Sequence, residues 1–351
     1  MKKLLLLLSL CAFNGIFAQD IAFTEDCTAL TVGNLGTSTL GAIAGQHNWF
    51  TSVSTAAVPA GANSDFQVAN FDATHGNVIE INGSAAAATS TTSQSRTMFQ
   101  DISSAWTNRT SGNDIAELEY DFYTGPTTTS LDTFRTYIYD ANNNAVAGFY
   151  YVPATNVIEG WAYYDNTATS GGVVGYYTFQ LGSGADVVLS PSTWYRLGVA
   201  YDYNTGAVTW KESTGLFYGG TTSADSGVDV TKFSFSVSSA TGNTLGAQDV
   251  IDNISVKFVA TESLLSTKTN TLVANTFSVY PNPTKDLINI SNDGASVSSI
   301  EISDLNGRVV KTVNIADSSN VQVNIADLSI GVYMMKIVSD KGATTKKIIK
   351  E

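Results

Sequence analysis

Histidine and cysteine are almost missing from this chain: 351 residues hold two of each. His47 and His75 cannot supply a histidine-rich zinc site, and two cysteines cannot supply a thiolate one. Cys11 lies in an apolar N-terminal stretch that is expected to be removed, which leaves Cys27 alone and excludes an internal disulfide. Charged residues make up only 14% and prolines number six. There is no heptad pattern, no G-x-S-x-G elbow and no phosphate-cradling glycine loop, so coiled coils, serine hydrolases of that type and P-loop enzymes drop out. After the first residues no apolar run is long enough to span a bilayer.

What is present is Gly, Thr, Ser, Val, Tyr and Phe, a composition that suits strands and turns. The N-terminus, "MKKLLLLLSLCAFNGIFAQD", has two lysines, an apolar core and a small residue at Ala18, which is the plan of a secretory signal peptide over 1–18. Net charge is −13, unevenly shared. From Phe277 onward eight basic and eight acidic residues cancel, and the signal holds two lysines. The segment between keeps 8 basic and 23 acidic residues, net −15. Such a surface repels nucleic acid and anionic membranes and suits neutral glycans or proteins as partners.

The central region reads as short strands separated by turns. "AELEYDFYTG" alternates Leu118, Tyr120 and Phe122 against Glu117, Glu119 and Asp121. "TFRTYIYDANNNAVAGFYYV" is a hairpin around Asn142–Asn144, and "WYRLGVAYDYNTGAVTWKE" another around Asn204–Gly206. "KFSFSVSS" alternates again, and "DVIDNISVKFV" reads as a closing strand. Numerous antiparallel strands predict an all-β, two-sheet sandwich. The pieces "STWYRLGVAYDYNTGAVTWKE" and "DVIDNISVKF" resemble the concanavalin-like jelly rolls of laminin-G domains and bacterial surface proteins. That resemblance implies a lectin-like fold over residues 19–260 and glycan binding as an expectation. A polar stretch, 261–276, reads as a linker.

Residues 277–351 read as a small immunoglobulin-like sandwich of seven short strands, one hairpin turning at Asn306-Gly307. They also resemble the type A C-terminal sorting domain of the type IX secretion system of Bacteroidota. The matching residues are Tyr280-Pro281-Asn282-Pro283, Asp304 with Gly307-Arg308, Gly331-Val332-Tyr333, and the closing run with Lys346 and Lys347. The resemblance implies recognition by a translocon at the outer membrane, and a protein that is secreted or held at the outer cell surface.

Three constellations in the middle could carry chemistry. Glu117, Glu119 and Asp121 share one strand face; family 16 glycoside hydrolases carry E-x-D-x-E at this alternation, with the acid types exchanged. Retaining hydrolysis needs two carboxyls about 5–5.5 Å apart, and alternate strand residues come near that. The other reading is a solvated acidic face. Glu159, Trp161 and Tyr163 share a face in "EGWAYYDN", and Arg135, Tyr137 and Tyr139 share one in "TFRTYIYD". Flat rings flanked by polar groups can stack on sugar C–H faces; the other reading is core packing. Asp252 falls in line with Ile254, Val256 and Phe258, where an acid is costly unless paired or metal-bound. Jelly rolls of the resembled type often hold calcium between an early acidic turn and the last strand. The resemblance therefore implies a structural calcium site at Asp252 with Glu25 and Asp26, the other reading being a bulge or an N-terminal fray that turns Asp252 to water. The favoured expectation is a non-enzymatic, exported protein that binds a glycan or surface partner. A carbohydrate-active enzyme and a structural matrix protein are the competing ones.

Overall fold

The computed structural model describes residues 19–351 except 55–59, 87, 89–93, 266–276, 293–296, 305–307, 319 and 340–341. The expected signal peptide, the Asn306-Gly307 turn and most of the expected linker therefore lie outside the described residues. The chain divides into two compact units, 1–265 and 266–351. Among the described residues no helix is long and apolar enough to cross a membrane.

The first unit holds β1 (Asp20–Glu25), β2 (Gly33–Asn34), β3 (Leu40–Ala44), β4 (Phe50–Val53), β5 (Phe66–Asp72), β6 (Gly76–Asn82), β7 (Ser95–Asp101), β8 (Ile115–Tyr123) and β9 (Asp132–Asp140). It continues with β10 (Ala145–Val152), β11 (Val157–Asp165), β12 (Val174–Gln180), β13 (Val187–Val188), β14 (Trp194–Asp202), β15 (Ala207–Glu212), β16 (Tyr218–Thr222), β17 (Val230–Ser239) and β18 (Gln248–Val259). Two nine-stranded sheets result. Sheet A runs β16-β15-β14-β8-β18-β6-β5-β2 with β1 also on β18; sheet B runs β12-β11-β10-β9-β17-β7-β4-β3 with β13 on β11. The unit is a jelly-roll sandwich.

Alternation explains the sandwich. Because successive side chains point to opposite faces, Leu118, Tyr120 and Phe122 of β8 enter the core while their neighbours face outward. Sheet B answers with Phe134, Ile138, Phe149, Phe233 and Phe235. Tyr120 and Phe235 meet edge-to-face across the layers, centroids 4.9 Å apart. Trp210 reaches from sheet A to sheet B and donates Nε1–H to the Gly148 carbonyl at 2.6 Å. It fits only because Gly160 has no side chain: a Cβ there would lie 2.6 Å from the indole.

β18 departs from simple alternation. Its register against β8 runs Asp252 to Asp121 and then Ser255 to Glu119, so a bulge intervenes at Asn253, which has φ +48°. The bulge reverses which residues face inward. Asp252 therefore shares the outer face with Asp121, correcting the expectation of a core-facing Asp252. The inward acid is Asp249, paired in register with Ile81 and wholly enclosed.

Residues 262–265, expected as linker, instead form a strap over the outer face of sheet A. Leu264 is buried. Leu264 and Leu265 lie against Gly198, where a Cβ would come within 3.0 and 3.1 Å of them.

The second unit holds β19 (Phe277–Tyr280), β20 (Leu287–Asn292), β21 (Val297–Asp304), β22 (Val309–Ser318), β23 (Asn320–Asn324), β24 (Gly331–Ser339) and β25 (Gly342–Lys350). Sheets β19-β20-β23 and β22-β21-β24-β25 enclose a core with Ile288, Ile290, Ile300, Ile302, Met335, Ile337 and Ile348. It is a small β-sandwich.

Candidate functional site

The outer face of sheet B gathers aromatic side chains from four adjacent strands. Register sets Tyr137 of β9 opposite Gly148 of β10, Gly148 opposite Trp161 of β11, and Trp161 opposite Thr178 of β12. The next row is Arg135, Tyr150, Glu159 and Gln180. The two sets read from sequence, Arg135–Tyr137–Tyr139 and Glu159–Trp161–Tyr163, thus share one face. Strands two apart in a sheet are separated by about 9.5 Å, yet the Tyr137 and Trp161 rings approach to 5.4 Å. The missing side chain of Gly148 lets them meet over the intervening strand.

Trp161 is the centre of the array. Tyr150 and Tyr176 stack near-parallel to it at 5.9 and 5.8 Å. Tyr163 packs on Tyr176 at 5.2 Å, and Tyr139 meets Tyr137 edge-on at 5.7 Å. Arg135 lies 5.6 Å above Tyr150 and 5.9 Å from Trp161. The Lys232 ammonium sits 4.6 Å over Tyr139, and burial lowers its pKa against the opposing pull of Asp101. Burial raises the Glu159 carboxyl and the Tyr137 phenol. Three polar atoms here are enclosed without a hydrogen-bond partner: Trp161 Nε1, Tyr137 OH and Ser234 Oγ. Ser234 pairs with Tyr137 in register. Tyr150, Tyr176, Lys232 and Gly148 belong to the array although the sequence reading did not single them out. Tyr150 and Tyr176 could have been found from the alternation of their own strands.

One edge of the face carries a carboxylate pair. Asn144 Nδ2 donates to Asp225 at 2.8 Å, its backbone N–H to Asp140 at 2.8 Å, and Tyr176 OH reaches Asn144 Oδ1 at 3.3 Å. Burial, then the neighbouring Asp225, lifts the Asp140 carboxyl to about 6.

Glu117, Glu119 and Asp121 do share the outer face of sheet A, but not as a catalytic set or a solvated face. Glu117 is fully buried and Glu119 nearly so. Lys257 Nζ lies 3.0 Å from Glu117 and 2.9 Å from Glu119, and Arg196 bridges Glu119 and Asp121. The strap completes the closure: Ser263 N–H and Oγ donate to Glu117 at 2.5 and 2.9 Å, and Leu265 N–H donates to Glu119 at 3.0 Å. Burial raises Glu117 despite Lys257. Burial works the same way on Glu119, but Lys257, Leu265 N–H and Arg196 outweigh it and hold that group low. Glu117 and Glu119 are thus neutralised by Lys257 and Arg196 and covered by the strap, while Asp121, paired with Arg196, stays partly exposed.

The expected calcium ligands are each spent locally. Glu25 accepts from Cys27 N–H at 3.0 Å and meets His47 Nδ1 at 2.8 Å. Asp26 accepts from Thr28. Asp252 accepts from Asn253 at 2.7 and 3.1 Å, and burial raises it to about 6. Among the described residues no three His, Cys, Asp or Glu are grouped to hold a metal ion. Cys27 is buried and unpaired by disulfide.

In the second unit Tyr280 ends β19 half-exposed. Asn282 donates Nδ2–H to the Lys347 carbonyl at 2.8 Å and accepts from Ile349 N–H at 2.9 Å. Arg308 binds Asp304 through N–H and Nε at 3.0 and 3.2 Å. Gly331 opens β24, Tyr333 OH donates to Ser329 O at 2.8 Å, and Lys346 and Lys347 lie on β25. Gly307 lies outside the described residues.

Comparison with known proteins agrees with this division. The family described as "Secretion system C-terminal sorting domain" matches residues 278–351. The tail is thus a sorting domain of the type IX kind, and it directs export to the medium or the outer surface. No curated protein matches the chain. Solved structures similar to it include a sialidase, at 9% identity and TM-score 0.38, over 60% of this chain and 17% of that one. A CBM2 module of the evolved Dit of Lactobacillus casei BL23 phage J-1 aligns at 11% identity and TM-score 0.42, over 70% and 97%. A family 16 endo-glucanase from Bacteroides ovatus aligns at 9% identity and TM-score 0.42, over 67% and 100%. The chain spans less than a fifth of the sialidase. These likenesses are too distant to argue for an activity.

Proposed function

We propose that this is an exported, non-enzymatic protein that binds a neutral glycan on the outer face of sheet B, with residues 277–351 engaging the secretion machinery. The observation that carries the reading is the array Tyr137–Tyr150–Trp161–Tyr176, flanked by Arg135, Glu159 and Lys232. Rings of this kind stack on the C–H faces of sugars, and the flanking groups bond hydroxyls. Tyr137 is buried beneath Trp161 and supports the array from below, leaving Tyr150, Trp161 and Tyr176 as the rings that face outward. The stacking face does not draw on calcium, since Glu25, Asp26 and Asp252 lie on or beside the other sheet and gather near Cys27. Catalysis by Glu117, Glu119 or Asp121 has no part in this reading.

The test is affinity electrophoresis of residues 19–265 through gels holding neutral polysaccharides, with calcium and with chelator. Retardation by at least one glycan is expected, equal in both conditions and lost in Trp161→Ala. Free migration on a broad panel would overturn glycan binding and favour a protein partner. Loss of retardation under chelator would restore calcium to the site.

A further inference from the structure

The two ends of the tail, 65 residues apart at Asn282 and Lys347, are held by one side chain. The Asn282 amide bonds to β25 as a backbone peptide would, donating to Lys347 O and accepting from Ile349 N–H. Beside it, Thr284 N–H donates to Ile349 O at 2.9 Å, and Glu351 N–H returns to Thr284 O at 2.9 Å. Thr284 and Lys350 thereby form a short parallel bridge. Asparagine combines one donor and one acceptor on a one-carbon stem. Aspartate lacks the donor and would set a charge against the Lys347 carbonyl; alanine supplies neither group. Tyr280, half-exposed, and Lys347, exposed, flank the clamp.

We infer that Asn282 is the positioning residue of the export signal: it locks the last strand to the Tyr280–Pro283 loop, so that the secretion machinery reads one composite surface with Tyr280 and Lys347 side by side. The inference rests on the tail being the export signal. It adds that the signal is complete only when its two ends are joined, and that either end alone is insufficient.

The experiment follows the full chain in a cell bearing a type IX secretion system, measuring secreted against retained protein. Four chains are compared with the parent: Asn282→Ala, Asn282→Asp, Val323→Ala and a chain lacking 277–351. Val323 is buried in the same sandwich and makes none of the clamp's hydrogen bonds, and its truncation loosens the core. Melting of each purified protein and hydrogen exchange at the Ile349 amide are recorded alongside. Asn282→Ala, which loses both hydrogen bonds, is expected to lower the secreted fraction roughly tenfold. Asn282→Asp, which keeps the acceptor but sets a charge against the Lys347 carbonyl, is expected to lower it as well. Exchange at Ile349 should quicken in Asn282→Ala, while Val323→Ala melts lower yet is secreted. Retention of the shortened chain with parental secretion of Asn282→Ala would overturn the clamp and leave the sorting assignment standing. Equal retention of Val323→Ala and Asn282→Ala would also overturn it, since stability alone would then be read. Secretion of the chain lacking 277–351 would overturn the assignment, and the clamp with it.

Discussion

At position 249 a carboxyl stands in an apolar core with one oxygen lacking any hydrogen-bond partner. Tyr120, Phe122, Phe134, Phe149 and Tyr151 line the small cavity beside it. Burial lifts this group from the ordinary 3.8 to about 8. The unfolded chain releases the proton near pH 4 and the folded chain keeps it until about 8. The stability due to that proton is therefore complete below pH 4 and is lost as the pH rises through 8, at about 1.4 kcal/mol per unit. Asp249→Asn should remove this dependence. Its melting advantage over the parent is expected to widen from pH 5 to pH 8 and then level, and parallel profiles would show that Asp249 ionises freely. Gly148 makes a second prediction at this scale. A Cβ there would lie 1.9 Å from Thr136 O and 2.9 Å from the Tyr137 ring. Gly148→Ala should cost about 1–3 kcal/mol of stability and weaken glycan retardation, as read by denaturation and the same gels.

The strap behaves as an element although it has no regular structure. It supplies amide and hydroxyl donors to Glu117 and Glu119 and buries Leu264 against the outer face of sheet A at Gly198. Leu264→Ala in residues 19–265 should cost about 2–4 kcal/mol. Ending the chain at 260 should cost more, because it also strips donors from two buried carboxylates. Equal denaturation midpoints for the 19–260 and 19–265 chains would show that the strap contributes nothing. None of this was legible in "TESLL", which has neither periodicity nor turn residues. The strands were legible, because period-two alternation survives in β8, β9, β14 and β17. The two aromatic sets were legible as faces for the same reason. Their union was not, because it depends on the register of three strands and on a glycine between them. The error at Asp252 has a similar origin. A lone asparagine within a strand does not announce a left-handed bulge, so simple parity through Asn253 points to 252 rather than 249 as the inward acid.

For the whole molecule, charge and address point the same way. The middle of the chain carries net −15 and the tail is neutral, so association governed by ring stacking should be nearly indifferent to salt. Retardation is expected to change less than about twofold between low salt and 1 M, where charge attraction would be screened to about 3 Å. A steep fall would point to an ionic ligand instead.

The place where the chain leaves the jelly roll has a mechanical consequence. The exit at Leu265 is fastened to the outer face of sheet A, and the aromatic array lies on the outer face of sheet B. The proposed binding face and the point of exit thus lie on opposite faces of the sandwich. Load at the exit enters along β18, an interior strand paired with β8, β6 and β1, and the strap spreads it onto β8 through Glu117 and Glu119. Because β18 is paired on both flanks, freeing the chain at this exit means breaking two backbone ladders and the strap's bonds, where an edge strand would have one.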